Sequence, residues 1–231
     1  MMNAITARLK LLSPAFPVVM GYLPIGFAFG VLAANAGMTP LTAILMSLLV
    51  FAGSAQLMAA GFIGQGLDPW AIIATTFIVN LRHLLMSASL SRYMDGWRKR
   101  EVAAFCYEMT DETFGVHSLR FAQGDTQPGI AMQINLVCQA AWVAGSALGV
   151  LAGGLITDVK PFALDYALPA MFIALLVMQL RSRRFLLVAL VAAALSMFLW
   201  SVGLTQWNVI LAAVLAAALG AGVETWHKKR S

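Results

Sequence analysis

The chain contains 231 residues, of which 61% are hydrophobic and only 11% are charged, and its mean hydropathy is +0.82. A soluble globular domain is about 45–50% apolar and about 25% charged. One soluble core could not bury this excess of apolar side chains, and a disordered chain would be poor in them. The composition therefore excludes a water-soluble enzyme and predicts an all-α polytopic integral membrane protein surrounded by the lipid bilayer.

The net charge of +5 comes from basic clusters that lie between long apolar runs. These clusters are Arg8 and Lys10, Arg92 to Arg100, Arg181 to Arg184, and Lys228 to Arg230. A nucleic-acid site needs a continuous basic face, whereas Lys and Arg between apolar segments are typical of cytoplasmic loops. We therefore expect no nucleic-acid partner.

Apolar runs of about 20 residues, the length that a membrane helix needs, follow one another along the chain. The predicted segments are 13–34, 40–64, 69–90, 129–156, 162–180, 185–203 and 207–224. Segment 13–34 holds three prolines and three glycines, so we expect it to be irregular. A further segment, 102–120, is interrupted by charged residues. Whether it crosses the membrane decides the number of membrane spans. We expect six to eight spans, and about seven, in a single transmembrane domain over residues 1–231.

A faint internal repeat is visible, because Phe51–Ala55 resembles Val143–Ala147 at an offset of 92 residues. It predicts two inverted three-helix units with interrupted helices, 13–90 and 102–180, followed by a helical hairpin at 185–224. Secondary transporters are often built this way, with the binding site where the repeats meet. The alternative is chance, because small residues recur in any membrane helix.

Two ionisable residues, Arg82 and His83, lie inside the apolar segment 69–90. An ionised side chain at mid-membrane costs about 2.5–3.5 kcal/mol on insertion scales and usually faces the bundle interior or an aqueous path. Asn80 and His83 share one helical face by their spacing of three. This pattern indicates substrate or proton handling, and the alternative is an Arg82 side chain that extends to the interface.

Three acids, Glu108, Asp111 and Glu112, fall within about one helical turn of segment 102–120. Crowded carboxylates favour protonation of at least one of them, which is what a proton-coupled carrier requires. The alternative is a solvated acidic loop. If the segment is buried, one of these acids is the predicted ion-pair partner of Arg82.

Small and polar residues also occur in the middle of two other segments. Gly53, Ser54 and Gln56 lie within 40–64, and Asn135, Gln139, Trp142 and Ser146 form a stripe on 129–156. Such residues let helices approach closely and hydrogen-bond across the contact. The alternative is a glycine-broken helix that offers backbone groups to a substrate.

The sequence gives weaker support to other functional classes. An intramembrane serine hydrolase would pair Ser54 with His83 or His117, but the Gly-x-Ser-Gly pattern of membrane proteases is incomplete at Ala52–Ala55. A channel, or a carrier for another small amphiphilic solute, is the other alternative. We find no cofactor or metal motif and expect neither cofactor nor metal, and no enzymatic activity.

Four short runs, by their order and spacing, resemble the AzlC family, the large subunits of two-component branched-chain amino acid exporters. The runs are Gly21–Gly30, Phe51–Gln56, Asn80–His83 and Thr110–Phe114. The resemblance covers about residues 14–224. It implies a multi-pass protein of the bacterial inner membrane that exports valine, leucine, isoleucine and analogues such as azaleucine, with a small AzlD-like membrane subunit. The residues that bind substrate do not follow from it.

The many small residues of segments 13–34 and 40–64 also suggest a partner, because such faces suit close packing with another helix. Among them are Gly21, Gly26, Gly30, Ala52, Gly53, Ala55, Ala59, Ala60 and Gly61. A homo-oligomer would meet the same need, and the resemblance favours the small subunit.

The C-terminus is predicted to be cytoplasmic, because both ends of the hairpin 185–224 carry basic clusters. A C-terminal fusion to a reporter that is active only in the periplasm should therefore be silent. A reporter active only in the cytoplasm, fused at the same position, is the control. Periplasmic activity would contradict the predicted orientation.

Overall fold

The computed structural model describes residues 11–156, 183–204 and 208–228, together with positions 166, 170, 173, 176 and 177. These residues form helices and contain no strand, which confirms the all-α prediction. A short 3₁₀ turn, Ser13–Ala15, precedes the first α-helix. The α-helices are α1 (Phe16–Asn35), α2 (Pro40–Leu49), α3 (Gly53–Gly64), α4 (Pro69–Ser91), α5 (Lys99–Tyr107), α6 (Asp111–Ala122), α7 (Pro128–Gly153), α8 (Arg183–Ser201) and α9 (Asn208–Lys228).

Three helices begin at a proline, namely α2 at Pro40, α4 at Pro69 and α7 at Pro128. Proline suits the first helical position, where the missing N–H would have had no intrahelical acceptor. The preceding turns contain Gly37 and Gly66 at φ values of 81° and 69°, a region that glycine enters without steric cost. A glycine followed closely by a proline predicts a turn, as at Gly37–Pro40 and Gly66–Pro69, and the structure confirms both turns.

The predicted segment 40–64 is two helices rather than one. The break covers residues 50–52, where Phe51 adopts a φ of 41° that continues neither helix. Segment 13–34, expected to be irregular, is instead the continuous helix α1 with Pro24 inside it. Packing against α7 explains this difference, since a well-packed face outweighs the hydrogen bond that proline removes.

A second break separates α5 from α6 at residues 108–110, inside the segment whose crossing was in doubt. Three described stretches are long and apolar enough to cross a membrane: Ser13–Asn35, Pro69–Ser91 and Pro128–Gly153. Pro40–Leu49, Phe185–Ser201 and Leu211–Gly220 are shorter apolar helices. The fold is polytopic, and the count of about seven spans stays a prediction, because segment 162–180 lies largely outside the described residues.

The chain divides into two compact units. The first contains residues 1–65 and 79–167, and the second contains residues 66–78 and 168–231. In the second unit α8 and α9 pack against each other, with Gly220 next to Val188. The basic clusters at residues 8–10 and 229–230, with residue 181, lie outside the described residues.

The helix breaks do not occur at equivalent positions in the two predicted repeat units. Phe51–Ala55 spans the start of α3, whereas Val143–Ala147 lies within the continuous helix α7. A second sequence match at the same offset pairs Asp68–Trp70 with residues 160–162, which lie outside the described residues. The repeat therefore stays a prediction.

The first unit is centred on close packing of α1 against α7. A Cβ atom added at Gly26 would lie 2.8 Å from the Trp142 carbonyl oxygen, and one added at Gly145 would lie 2.5 Å from the Leu23 oxygen. These glycines let the two backbones nearly touch, which is the role of small residues in membrane helix pairs.

The structure corrects the prediction of a partner-binding face on segments 13–34 and 40–64. Most of the small residues assigned to this face are buried within the chain. They are Gly26, Gly30, Ala52, Ala55, Ala59 and Ala60. Gly21 and Gly61 have open space where a Cβ would be. Two open glycines do not define a partner-binding face.

The variant Gly26→Ala should destabilise the protein by about 1–3 kcal/mol, because the new methyl group would force the α1 and α7 backbones apart. Gly21→Ala, on the same helix but facing open space, is the matched control and should be neutral or slightly stabilising. Thermal unfolding in mild detergent measures both. Equal unfolding temperatures for the two variants would contradict the proposed α1–α7 contact.

Candidate functional site

The two breaks meet at an ion pair. Arg82 of α4 lies with its Nη2 atom 2.8 Å from Oδ2 of Asp111, the first residue of α6, and the side chains are only 21% and 15% exposed. The same Nη2 atom donates a hydrogen bond to Oγ of Ser54, the second residue of α3. The predicted pairing of Arg82 with an acid of segment 102–120 is therefore confirmed. The guanidinium joins the starts of the two helices that follow the breaks.

The electrostatics of this arrangement follow from the helix ends. A helix N-terminus carries partial positive charge on its free N–H groups. Asp111 lies at such an end and also faces Arg82, so its carboxylate is stabilised twice. The Nε atom of Arg82 is buried without a hydrogen-bond partner among the described residues. The guanidinium therefore keeps a donor that neither Asp111 nor Ser54 occupies.

Tyr22 of α1 forms hydrogen bonds with residues at the start of α6. The Oη atom of Tyr22 donates to Oε2 of Glu112 at 2.7 Å and lies 2.6 Å from Oγ1 of Thr110. Thr110 in turn caps α6, with its Oγ1 atom accepting from the Thr113 backbone N–H at 3.3 Å. Sequence reasoning missed Tyr22 as a site residue. The available signal was a phenol hydroxyl inside a predicted membrane segment, where it needs a polar partner.

Aromatic packing fixes the Tyr22 ring. Its centroid lies 6.2 Å from that of Phe51 and 5.4 Å from that of Trp142, both in edge-to-face geometry. Phe51 is the residue at the α2–α3 break. The tyrosine therefore contacts one break through its ring and the other through its hydroxyl.

The acids do not share a helical turn, which corrects the interpretation of Glu108, Asp111 and Glu112 as neighbours on one helix. Glu108 follows the last residue of α5, whereas the other two begin α6. Glu108 is only 7% exposed, and its Oε2 atom has no partner among the described residues. The acids are thus buried or half-buried rather than displayed on a solvated loop.

Gln56 lies in a closed hydrogen-bond network. Its Nε2 atom donates to Ser47 Oγ at 2.9 Å, and its Oε1 atom accepts from Trp142 Nε1 at 3.1 Å. Ser47 donates to Ser146 Oγ at 2.8 Å. The network joins α2, α3 and α7, so both ends of the Gln56 amide are engaged within the chain.

Side chains from other helices also satisfy the carbonyl groups that the first break exposes. Gln139 Nε2 donates to the Leu48 oxygen at 3.1 Å, and the Tyr107 hydroxyl donates to the Leu49 oxygen. Backbone groups at membrane depth need such partners, because lipid offers none.

The remaining predicted site residues lie beside the ion pair on α4. Asn80 and His83 are half-buried, and the Asn80 Oδ1 and His83 Nε2 atoms have no partner among the described residues. The hydrolase alternative required a bond between Ser54 and a histidine. Ser54 instead accepts from Arg82, and His117 Nε2 lies 2.7 Å from Asn135 Oδ1.

A helical membrane protein with a charged pair buried at two helix breaks has the architecture of a membrane transport protein. Comparison with known proteins agrees. The AzlC protein family matches residues 17–156. The chain belongs to the AzlC family.

Three relatives cover most of the chain. An uncharacterised membrane protein of Archaeoglobus fulgidus is 35% identical over 207 residues, covering 89% of this chain and 90% of its own. The inner membrane protein YgaZ of Escherichia coli K12 is 27% identical over 220 residues, covering 92% and 88%. The branched-chain amino acid transport protein AzlC of Bacillus subtilis 168 is 29% identical over 164 residues, covering 71% and 64%. No solved structure matches this chain.

The variant Arg82→Ala should lower the stability of the folded protein by about 3–5 kcal/mol, because it leaves the Asp111 carboxylate half-buried without its cation. Arg82→Lys should restore little, since the lysine ammonium is a more strongly hydrated point charge and lacks the planar guanidinium that places Nη2 between Asp111 and Ser54. The exposed Arg92 at the end of α4 provides the matched control, Arg92→Ala. Yield and thermal stability in detergent are the measurements, and a normal Arg82→Ala protein would place that side chain at the membrane interface.

Proposed function

We propose that this protein exports branched-chain amino acids across the bacterial inner membrane as a secondary, proton-coupled transporter, together with a small AzlD-like membrane subunit. The observation that supports it most is the Arg82–Asp111–Ser54 contact at the meeting of two helix breaks in a chain of the AzlC family.

A guanidinium at this position suits the carboxylate of an amino acid. Arg82 has an unused Nε donor, and it lies beside the start of α3, where the helix dipole also favours an anion. Charge-assisted hydrogen bonds to a carboxylate are among the stronger polar contacts. We therefore assign Arg82 and Ser54 to the carboxylate end of the substrate.

The surroundings of the site suit an apolar side chain. Tyr22, Phe51 and Trp142 form an aromatic cluster next to the charged groups. Branched aliphatic side chains gain about 1.5–3 kcal/mol from full burial against such surfaces. A ligand that is charged at one end and aliphatic at the other fits this division.

Proton coupling is assigned to Asp111 or Glu112, with Asn80, His83 and Glu108 lining the pathway. The single guanidinium of Arg82 forms an ion pair with Asp111 and cannot also neutralise the other half-buried carboxylate, Glu112. A proton is the simplest additional positive charge, and its uptake and release would link transport to the proton gradient.

The small subunit is proposed from family membership and from the breaks. Interrupted helices must be covered by protein or face a cavity, and α8 and α9 expose large apolar side chains such as Phe198 and Leu219. Lipid accounts for apolar exposure equally well, so the partner has to be tested directly.

Cells that express the chain together with the small subunit should export leucine supplied as a dipeptide, and cells with either protein alone should export little. Arg82→Ala should reduce export to background, and Arg82→Lys should slow it about tenfold or more. Arg92→Ala is the control at matched protein level. Full export by the purified chain alone in liposomes would overturn the requirement for a second subunit, and no export by the pair would overturn the proposed function.

A further inference from the structure

The two acids at the start of α6 differ in their partners. Asp111 forms an ion pair with Arg82 at 2.8 Å. Glu112 accepts a hydrogen bond at 2.7 Å from the Tyr22 hydroxyl, a neutral donor. Within the described part of the chain, the ion pairs are Arg82–Asp111 and Arg120–Asp125. Glu112 is therefore a half-buried carboxylate that the Tyr22 hydroxyl orients and that forms no ion pair with the described residues.

The groups around Glu112 leave this negative charge uncompensated. Tyr22 of α1, His83 of α4 and Cys138 of α7 lie near enough to interact with it electrostatically. Arg82 is committed to Asp111 and Ser54, and Glu108 at the end of α5 adds a further acid. Among the residues that the structure describes, the neighbouring helices thus place one cation, Arg82, in an ion pair with the acids at this break.

We propose that the ammonium group of the substrate and a proton compete for the Glu112 carboxylate, and that Tyr22 is the positioning residue that aims it. This inference rests on the proposed transport function. An amino acid carries an anion and a cation a few ångströms apart. Arg82 offers a positive group to the carboxylate, and Glu112 offers a negative group to the ammonium. The two side chains belong to the same site, because Arg82 contacts Asp111, the residue directly before Glu112.

Competition at one carboxylate makes the transporter an antiporter. When the substrate leaves on the outer side, a proton from that side binds a Glu112 oxygen and neutralises it. The unloaded protein then returns, and on the inner side the arriving ammonium replaces the proton, which passes to the cytoplasm. A carboxylate that is half-buried without a cation is disfavoured, so the return without a proton is disfavoured. Each cycle exchanges one amino acid for one proton.

Inside-out membrane vesicles that contain the chain and the small subunit test this directly, because export then appears as uptake of leucine. The KM for leucine should rise as the outer medium is acidified, because protons then compete with the ammonium group for Glu112, and the maximal rate should stay unchanged. An acidic lumen should drive accumulation. Glu112→Gln should raise the KM about tenfold or more and abolish its pH dependence. Glu112→Asp should restore pH dependence.

Two further variants separate positioning from folding. Tyr22→Phe removes the hydroxyl and keeps the ring, so it should change the pH profile of the KM at normal protein level. Asp95→Asn, an exposed acid between α4 and α5, is the charge-matched control and should behave as wild type. If Glu112→Gln does not transport, thermal protection of the purified complex gives the answer. Leucine should protect wild type less when the solution is acidified, and should protect Glu112→Gln no better than the 2-hydroxy acid with the same side chain.

Three results would overturn the inference and leave transport itself intact: wild-type pH dependence of the KM in Glu112→Gln, wild-type pH dependence of its protection by leucine, or accumulation driven by an acidic outer medium. Failure of the transport proposal looks different. In that case wild-type vesicles would take up no leucine under any gradient, and leucine would give no protection at either pH.

Discussion

A guanidinium in an apolar helical bundle must have partners, and this requirement organises the first unit of the protein. Arg82 meets it with Asp111 and Ser54, each at the start of a helix that follows a break. A continuous α2–α3 or α5–α6 helix would not place a helix start at either residue. The ion pair and the two breaks therefore depend on each other, and the ion pair explains why interrupted helices are tolerated at this position.

The helix α7 supports this arrangement through a stripe of polar side chains that contact three other helices, α2, α3 and α6. Asn135 bonds to His117, Gln139 to a carbonyl of α2, Trp142 to Gln56 and Ser146 to Ser47. On the neighbouring face, glycines admit the α1 backbone. Membrane helices gain no hydrophobic stabilisation from leaving lipid for one another, so close packing and hydrogen bonds of this kind carry the association. The hydrogen bonds that the sequence predicts for this stripe are therefore present between helices of the chain.

Sequence reasoning found the features that depend on local chemistry or on scarcity. Hydropathy gave the helical membrane class, and proline with glycine gave the turns before Pro40 and Pro69. Arg82 could be paired with segment 102–120 because few other acids lie in comparably apolar sequence. The break at Phe51 carries no such signal, because an apolar aromatic residue is ordinary inside a membrane helix.

Tertiary context decided the remaining features. Ser54 and Gln56 are two residues apart and were grouped together, yet Ser54 faces the ion pair and Gln56 faces the network with Trp142. Glu108 and Glu112 had helical spacing, and the break separates them. Tyr22 resembled any other aromatic side chain until its hydroxyl was placed against Glu112. The sequence pattern alone cannot show which neighbour a side chain contacts, because that depends on which helices pack against its own helix.

The two breaks also differ in a way that gives the site a direction. The start of α6 has a capping box, since Thr110 and Thr113 accept hydrogen bonds from each other's backbone N–H groups. The residue before α3, Ala52, has no side chain that could cap the helix, and Ser54 two residues later is bonded to Arg82. The guanidinium of Arg82 lies beside both helix starts, since it contacts Asp111 at the start of α6 and Ser54 at the start of α3. Among the described residues Glu112 forms no ion pair. Under the proposed function, the carboxylate of a bound amino acid would face Arg82 and Ser54, and its ammonium group would face Glu112.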